Sequence, residues 1–195
     1  MRIVPIVEGK GEVESVPLLI RRVGGERCHP PVYPEVERPI RIPASKLRKP
    51  DELRRAVQLA ASRAGAGGSV LVLMDADDDC PAKLAPGLLQ TVGERADVSV
   101  GIVLAKREYE TWFLAGLVSL RGLRGISDDA DPPEDPEAIR GAKEWLQARM
   151  TDGVTYSPSI DQPALTHHLD LELARRADSF DKCVREIRRL IGCDG

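Results

Sequence analysis

The chain has 195 residues, a net charge of −3, and 42% hydrophobic and 30% charged residues. That is enough length for one domain with a full hydrophobic core, the composition is ordinary for a soluble globular protein, and no apolar run approaches the length of a membrane span. The charge balance excludes a protein coated in positive charge, yet it leaves room for a local basic path, because the field follows the distribution of charge and not its sum.

In chain order, Arg2–Val7 is a short apolar run that ends at Glu8. No cleavage-type segment precedes it, so the expectation is an intracellular, cytoplasmic protein. Gly9, Lys10 and Gly11 form a tight polar turn. Glu12 to Val23 reads as a helix with Val13, Val16, Leu19, Ile20 and Val23 on one face, and Pro17 is expected to kink it or delay its start. Val36–Ile42 is a candidate strand, placed near an edge by Pro39. Lys49, Pro50 and Asp51 open a helix to about Ala64, which Gly65–Gly68 ends.

Ser69–Met74 is a continuous apolar strand of the kind buried on both faces of a parallel sheet, and it ends at Asp75. Pro81 suits the first turn of the next helix. Val98–Ala105 is a further buried strand. It ends in Lys106, Arg107 and Glu108, and a helix through Tyr109–Leu117 follows. Strands alternating with helices predict an α/β domain, a mostly parallel sheet with helices on both faces. This core is assigned to residues 1–126. Residues 127–195 are assigned to an acidic proline-rich loop (Ser127–Glu137), expected to be solvated and mobile, and to a helical extension packed on the same domain. That extension is read as two or three helices around an irregular segment, Thr151–Pro163.

In open α/β sheets, sites form beyond the carboxyl ends of the strands. Three apolar strands here end in charge: Glu8; then Asp75 and Asp77; then Lys106, Glu108 and Glu110. Magnesium takes oxygen ligands, commonly one or two carboxylates plus waters and substrate phosphates. Asp-x-Asp at a strand end places two carboxylates within reach of one ion, and Glu8 on a neighbouring strand adds a third oxygen or a general acid/base. Without a cation such a cluster repels itself and raises its own pKa values. Glu12 is either a second ligand or an acid steadied by its helix dipole. Asp78 is open between ligand and helix cap, and Asp79 is read as a cap for the helix at Pro81. Lys10 and Lys106 are candidates for phosphate contact, with Lys106 alternatively pairing with Asp75. Glu108 and Glu110 are candidates for a supporting role or a second metal site.

Other signals are bland. The cysteines at 28, 80, 183 and 193 have no C-x-x-C spacing and are expected to be reduced, unpaired thiols. Gly65–Gly68 lacks dinucleotide-loop spacing, and G-K-G-E is not a P-loop. No Cys or His spacing supports zinc. A receiver domain wants its paired acids after the first strand, and this chain has the reverse order.

The block V-E-G-K-G-E at 7–12, followed by L-M-D-A-D-D-D at 73–79, resembles the Toprim domain of topoisomerases, bacterial primases, RNA-maturation nucleases and overcoming-lysogenization-defect nucleases. Its Glu and Asp-x-Asp correspond to Glu8, Asp75 and Asp77, and its nuclease branch has a second Glu where Glu12 stands. The chain as a whole, through K-R-E-Y-E-T-W-F-L-A at 106–115, Y-S-P-S-I-D-Q-P-A-L-T at 156–166 and S-F-D-K-C-V at 179–184, is similar to small standalone Toprim-like bacterial proteins of unknown function. That resemblance implies a Rossmann-like fold and a Mg²⁺- or Mn²⁺-dependent nuclease acting on nucleic acid. Its catalytic residues would be Glu8, Asp75 and Asp77, and its metal ligands Glu8, Glu12, Asp75 and Asp77. It further implies a phage-defence effector and a partner ATPase, with a homo-oligomer as an additional expectation. The alternative is a non-catalytic module that binds the ATPase, with Trp112, Phe113 and Leu114 as anchors unless they belong to the core. Tyr156, Asp161 and Gln162 are assigned no role beyond shaping the rim.

Overall fold

A computed structural model describes residues 1–93 and 97–193. The strands β1 (Arg2–Val7), β2 (Glu35–Val36), β3 (Ile40–Arg41), β4 (Ser69–Asp75) and β5 (Ser99–Ala105) form one sheet. Its order is β2-β1-β4-β5, with β3 also paired to β1, and every pairing is parallel. The helices before β5 are α1 (Glu12–Arg27), α2 (Ala44–Leu47), α3 (Pro50–Ala64) and α4 (Pro81–Val92). Those after it are α5 (Thr111–Ala115), α6 (Ala142–Gln147), α7 (Pro158–His168), α8 (Leu171–Ala174) and α9 (Asp178–Leu190).

Side chains alternate across each strand, and both faces are covered. Ile3, Val7, Leu71, Leu73 and Val103 join a core with α1, α5, α7 and α9. Val4, Ile6, Val70, Val72 and Met74 join a second core with α3 and α4. The domain is therefore α/β and Rossmann-like, and all seven residues of β4 are buried, as its unbroken apolar run requires. Among the described residues, no helix is long and apolar enough to cross a membrane.

Several expectations need correction. Pro17 does not delay α1, which starts at Glu12 and carries the buried proline inside it. The Val36–Ile42 strand is two short pieces, because Pro39 has no N–H for the ladder and the chain leaves the sheet around it. The helix after β5 is only five residues long and passes into a 3₁₀ turn at Leu117–Leu120. The acidic loop is tied down: Arg121 donates to the Ala130 carbonyl, Arg176 to those of Pro133 and Glu134, and Glu137 accepts the Ser179 N–H. The C-terminal region holds α6, α7, α8 and α9, and its irregular stretch is shorter than read, since α7 begins at Pro158.

Trp112, Phe113 and Leu114 are fully buried, so they are core and not docking anchors. Trp112 lies between Tyr109 and Phe180, with ring centroids 4.8 and 5.2 Å away, and its Nε1–H donates to Ser179 Oγ at 2.9 Å. It thereby ties α5 to the start of α9. Cys28 and Cys193 form a disulfide, contrary to the unpaired reading. They are 165 residues apart in sequence, and the fold brings their Cα atoms to 5.7 Å, inside the span of such a bond. Cys80 and Cys183 are free thiols.

Replacing Trp112 with Ala is expected to lower the unfolding free energy by about 3–5 kcal/mol in denaturant titrations. The oxidised protein is expected to exceed its reduced form in stability by about 2–4 kcal/mol, measured with and without a thiol reductant.

Candidate active site

The carboxyl edge of the sheet gathers Glu8 from β1, Asp75 from β4 and Glu110 from the segment after β5, with Glu12 at the start of α1. The turn between Glu8 and Glu12 closes on itself. Glu12 Oε2 accepts the N–H groups of Glu8 and Gly9 at 3.0 and 3.1 Å. A Cβ on Gly9 would lie 2.8 Å from Glu12 Oε1, so a side chain there would displace the carboxylate from this closure. Gly11 is required outright. A Cβ there would collide with Gln162 Oε1 and the Pro158 carbonyl, where the start of α7 presses against the turn.

The acids are linked through backbone amides. Glu8 Oε2 accepts the Asp75 N–H at 3.2 Å, and Asp75 Oδ1 accepts the Tyr109 N–H at 2.9 Å. Glu110 has no exposed surface; its Oε1 accepts Tyr156 Oη–H at 2.9 Å and Gln162 Nε2–H at 3.2 Å. Glu110 Oε2 makes no hydrogen bond, and Lys143 Nζ is 3.5 Å from it. The same ammonium lies 3.0 Å from Glu108 Oε2. Glu8, Glu12 and Asp75 line one cavity of about 320 Å³ together with Lys10, Lys143 and Gln162.

Burial and mutual repulsion push these carboxyls upward. Burial pushes Glu12 to about 7, with the charges of Glu8 and Glu110 adding to it against the two backbone amides. Asp75 is raised well above the usual carboxylate range, first by burial and then by Glu12, Glu8 and Glu110, with Lys143 opposing. Burial also raises Glu8 and Glu110. For Lys143, burial disfavours the ammonium, but Glu110, Glu108 and Asp75 outweigh it and hold the proton on. Burial, with Glu110 beside it, raises Tyr156 as well, which keeps its hydroxyl a donor.

The flanking triplet is arranged differently. Asp77 sits outside the cavity lining, with its side chain 68% exposed and its backbone in the left-handed region at φ 52°. It pairs with Arg48 at 3.2 Å. Asp79 also pairs with Arg48, and Asp78 pairs with Arg107 at 2.6 Å and Arg140 at 3.0 Å. The cap reading of Asp79 is therefore wrong. The residue at the α4 N-cap is Cys80, with no side-chain cap bond, and the arginine fork outcompetes the helix for the carboxylate. Lys106 does not pair with Asp75. Its side chain lines a separate cavity with Cys80, Leu104 and Lys182, while its N–H donates to Ser179 Oγ.

The structure thus brings together Glu8, Glu12, Asp75 and Glu110 of the expected residues, with Glu108 and Lys10 at their margin. It leaves Asp77, Asp78 and Lys106 outside. Among the described residues, no three Asp, Glu, His or Cys side chains stand at metal-holding geometry, and one oxygen each of Glu8, Glu12, Asp75 and Glu110 is engaged with a backbone amide or with Tyr156 and Gln162. The donor set itself is all oxygen, which is what magnesium requires. Sequence reasoning missed Lys143 and Arg48, for which no motif existed. It left Tyr156 and Gln162 without a role, though both lie in the Tyr156–Thr166 block. Asp161 is structural, accepting from Arg124 Nε at 2.7 Å and the Ser157 N–H at 2.6 Å.

Because Glu12 binds its proton more tightly in the folded protein than at its ordinary value of 4.5, the metal-free fold binds more protons than the unfolded chain. Its contribution is whole below pH 4.5 and is lost as pH rises through about 7, a change of about 3 kcal/mol. Urea titrations between pH 5 and pH 8 without divalent ions are expected to show wild type losing stability relative to Glu12→Gln, whose amide oxygen still accepts both N–H groups.

No curated protein and no solved structure matches this chain. A family match runs from residue 7 to residue 188, from the last residue of β1 to near the end of α9, and so encloses every residue of the cavity. The chain belongs to the family described as Domain of unknown function (DUF4276).

Proposed function

We propose that this protein is a Mg²⁺- or Mn²⁺-dependent nuclease of Toprim type, hydrolysing phosphodiester bonds of nucleic acid in the cytoplasm as the effector of a bacterial defence system. The observation that carries this reading is the charge imbalance at the sheet edge. Three buried carboxyls, of Glu12, Asp75 and Glu110, are drawn together beside the half-buried Glu8, and Lys143 is the cation in ion-pair contact, through Glu110. A hard divalent cation relieves that repulsion better than protons do at neutral pH.

Glu8 and Asp75 would hold the ion, with Glu12 behind them once it gives up its proton. Asp77 would join on releasing Arg48, since its exposed carboxylate lies close enough to Glu8 to raise it. Bound there, the ion would polarise a phosphoryl oxygen and lower the pKa of an attacking water. Glu8 is partly exposed, lines the cavity and is raised above its ordinary value by burial, so it is the carboxyl placed to exchange a proton with water. Lys143 faces the negative charge of a phosphate. Tyr156 and Gln162 fix Glu110, which in turn positions Lys143. Lys10, exposed on the turn beside Glu8, can neutralise a neighbouring phosphate.

Asp75→Asn is expected to lower Mg²⁺-dependent cleavage of nucleic acid at least about 10²-fold while leaving the circular dichroism spectrum unchanged. Calorimetry is expected to show Mn²⁺ binding to the wild-type protein that the variant loses. Undiminished cleavage in the variant, or no divalent binding by the wild type, overturns the reading.

A further inference from the structure

The chain carries a net charge of −3, yet residues 38–50 contain five cations and no acid: Arg38, Arg41, Lys46, Arg48 and Lys49. This segment is fixed to the carboxylate edge at two points, Arg41–Ile42 and Arg48. Arg41 stands opposite Val7 in the β1–β3 register, and Ile42 N–H donates to the Val7 carbonyl at 2.8 Å, one residue before Glu8. At the other end Arg48 reaches the carbonyls of Asp75 and Ala76 and the carboxylates of Asp77 and Asp79. The basic segment therefore runs along the flank of the site, from the end of β1 to the turn after β4.

Arg48 is consumed in holding that turn. Arg38, Arg41, Lys46 and Lys49 are exposed, and none has an ion pair among the described residues. The acids nearest in sequence are already committed: Glu35 and Glu37 to Arg2, Asp51 to Arg54 and Glu52 to Arg55. Internal pairing thus removes the counter-charges and leaves four free cations in a row. None of the large exposed hydrophobic residues falls within 38–50. A membrane-inserting face would need such residues, and a protein hot spot would set its arginines round a desolvated apolar or aromatic centre. Free cations without an apolar centre suit a solvated polyanion, whose binding is driven by counterion release.

We infer that the segment Arg38–Lys49 is the path along which the phosphate backbone of a nucleic-acid strand lies as it approaches the carboxylate cavity. The inference rests on the nuclease reading for its substrate class and adds the surface that holds it. Contacts of this kind position a strand without reading its sequence.

The test is binding of a labelled single-stranded oligothymidylate and a labelled DNA duplex to the full chain in EDTA, followed by anisotropy over a range of salt. The triple variant Arg41→Glu, Lys46→Glu, Lys49→Glu is expected to lose at least about 10-fold in affinity, and its salt slope to become shallower by about 2 on the single strand and about 3 on the duplex. The neutral set Arg41→Gln, Lys46→Gln, Lys49→Gln keeps the experiment informative if the charge reversal impairs folding, and is expected to show the same slope change with a smaller loss. Arg55→Gln with Arg63→Gln, on α3, is expected to match wild type. Wild-type affinity and slope in both triple variants overturn the inference, as does a wild-type protein that binds neither probe. Because no cleavage occurs in EDTA, this outcome is separate from that of Asp75→Asn, which reports on the chemistry alone.

Discussion

Charge repulsion among carboxyls at the end of a parallel sheet governs how this molecule is built. The strands are apolar through their middles because both of their faces are covered, so the acidic side chains gather where the strands stop. There, Glu8, Asp75, Glu110 and nearby Glu12 are forced into proximity. The surrounding structure answers that proximity at several points. Backbone N–H groups of Glu8, Gly9, Asp75 and Tyr109 point at carboxylate oxygens, Tyr156 and Gln162 hold one more, and Lys143 supplies a positive charge. Each partner offsets part of the cost of burying an anion, and together they still leave the acids raised.

The parts of the fold set by local pattern were legible. The unbroken run Ser69–Met74 located β4, and its end placed Asp75 at the sheet edge. Gly65 and Pro81 marked the boundaries of α3 and α4 correctly. Proline was the least legible signal. Pro17 sits within α1, whereas Pro39 splits a strand, because the outcome depends on whether packing around the ring compensates the missing donor.

The site was legible only in its acids. Periodicity placed the strand ends, but it says nothing of which carboxylate an arginine from elsewhere will claim. Arg48 took Asp77 and Asp79, and Arg107 with Arg140 took Asp78, which moved the triplet out of the cavity lining. Lys143 lies 68 residues after Asp75 on a short helix, and no spacing rule reaches that far. The Cys28–Cys193 bond has the same origin: its partners meet through tertiary packing of the chain's end against α1, which sequence spacing does not encode.

The close approach of α7 to Gly11 and the bonds from Tyr156 and Gln162 to Glu110 bear on how the chain can be divided. The sheet and its four acids lie wholly before residue 127, and a boundary there is natural by sequence. Yet a fragment cut at that point would keep Glu110 while losing both hydrogen-bond donors and the ammonium that faces it. It would also lose α9, which covers β4 and β5. The first part of the chain supplies the reactive groups and the second supplies their solvation, so neither is a module that could be transplanted alone. Fusions and insertions are better placed at the exposed turn around Gly65–Gly67, away from the carboxyl edge, provided both glycines are kept for their left-handed backbone.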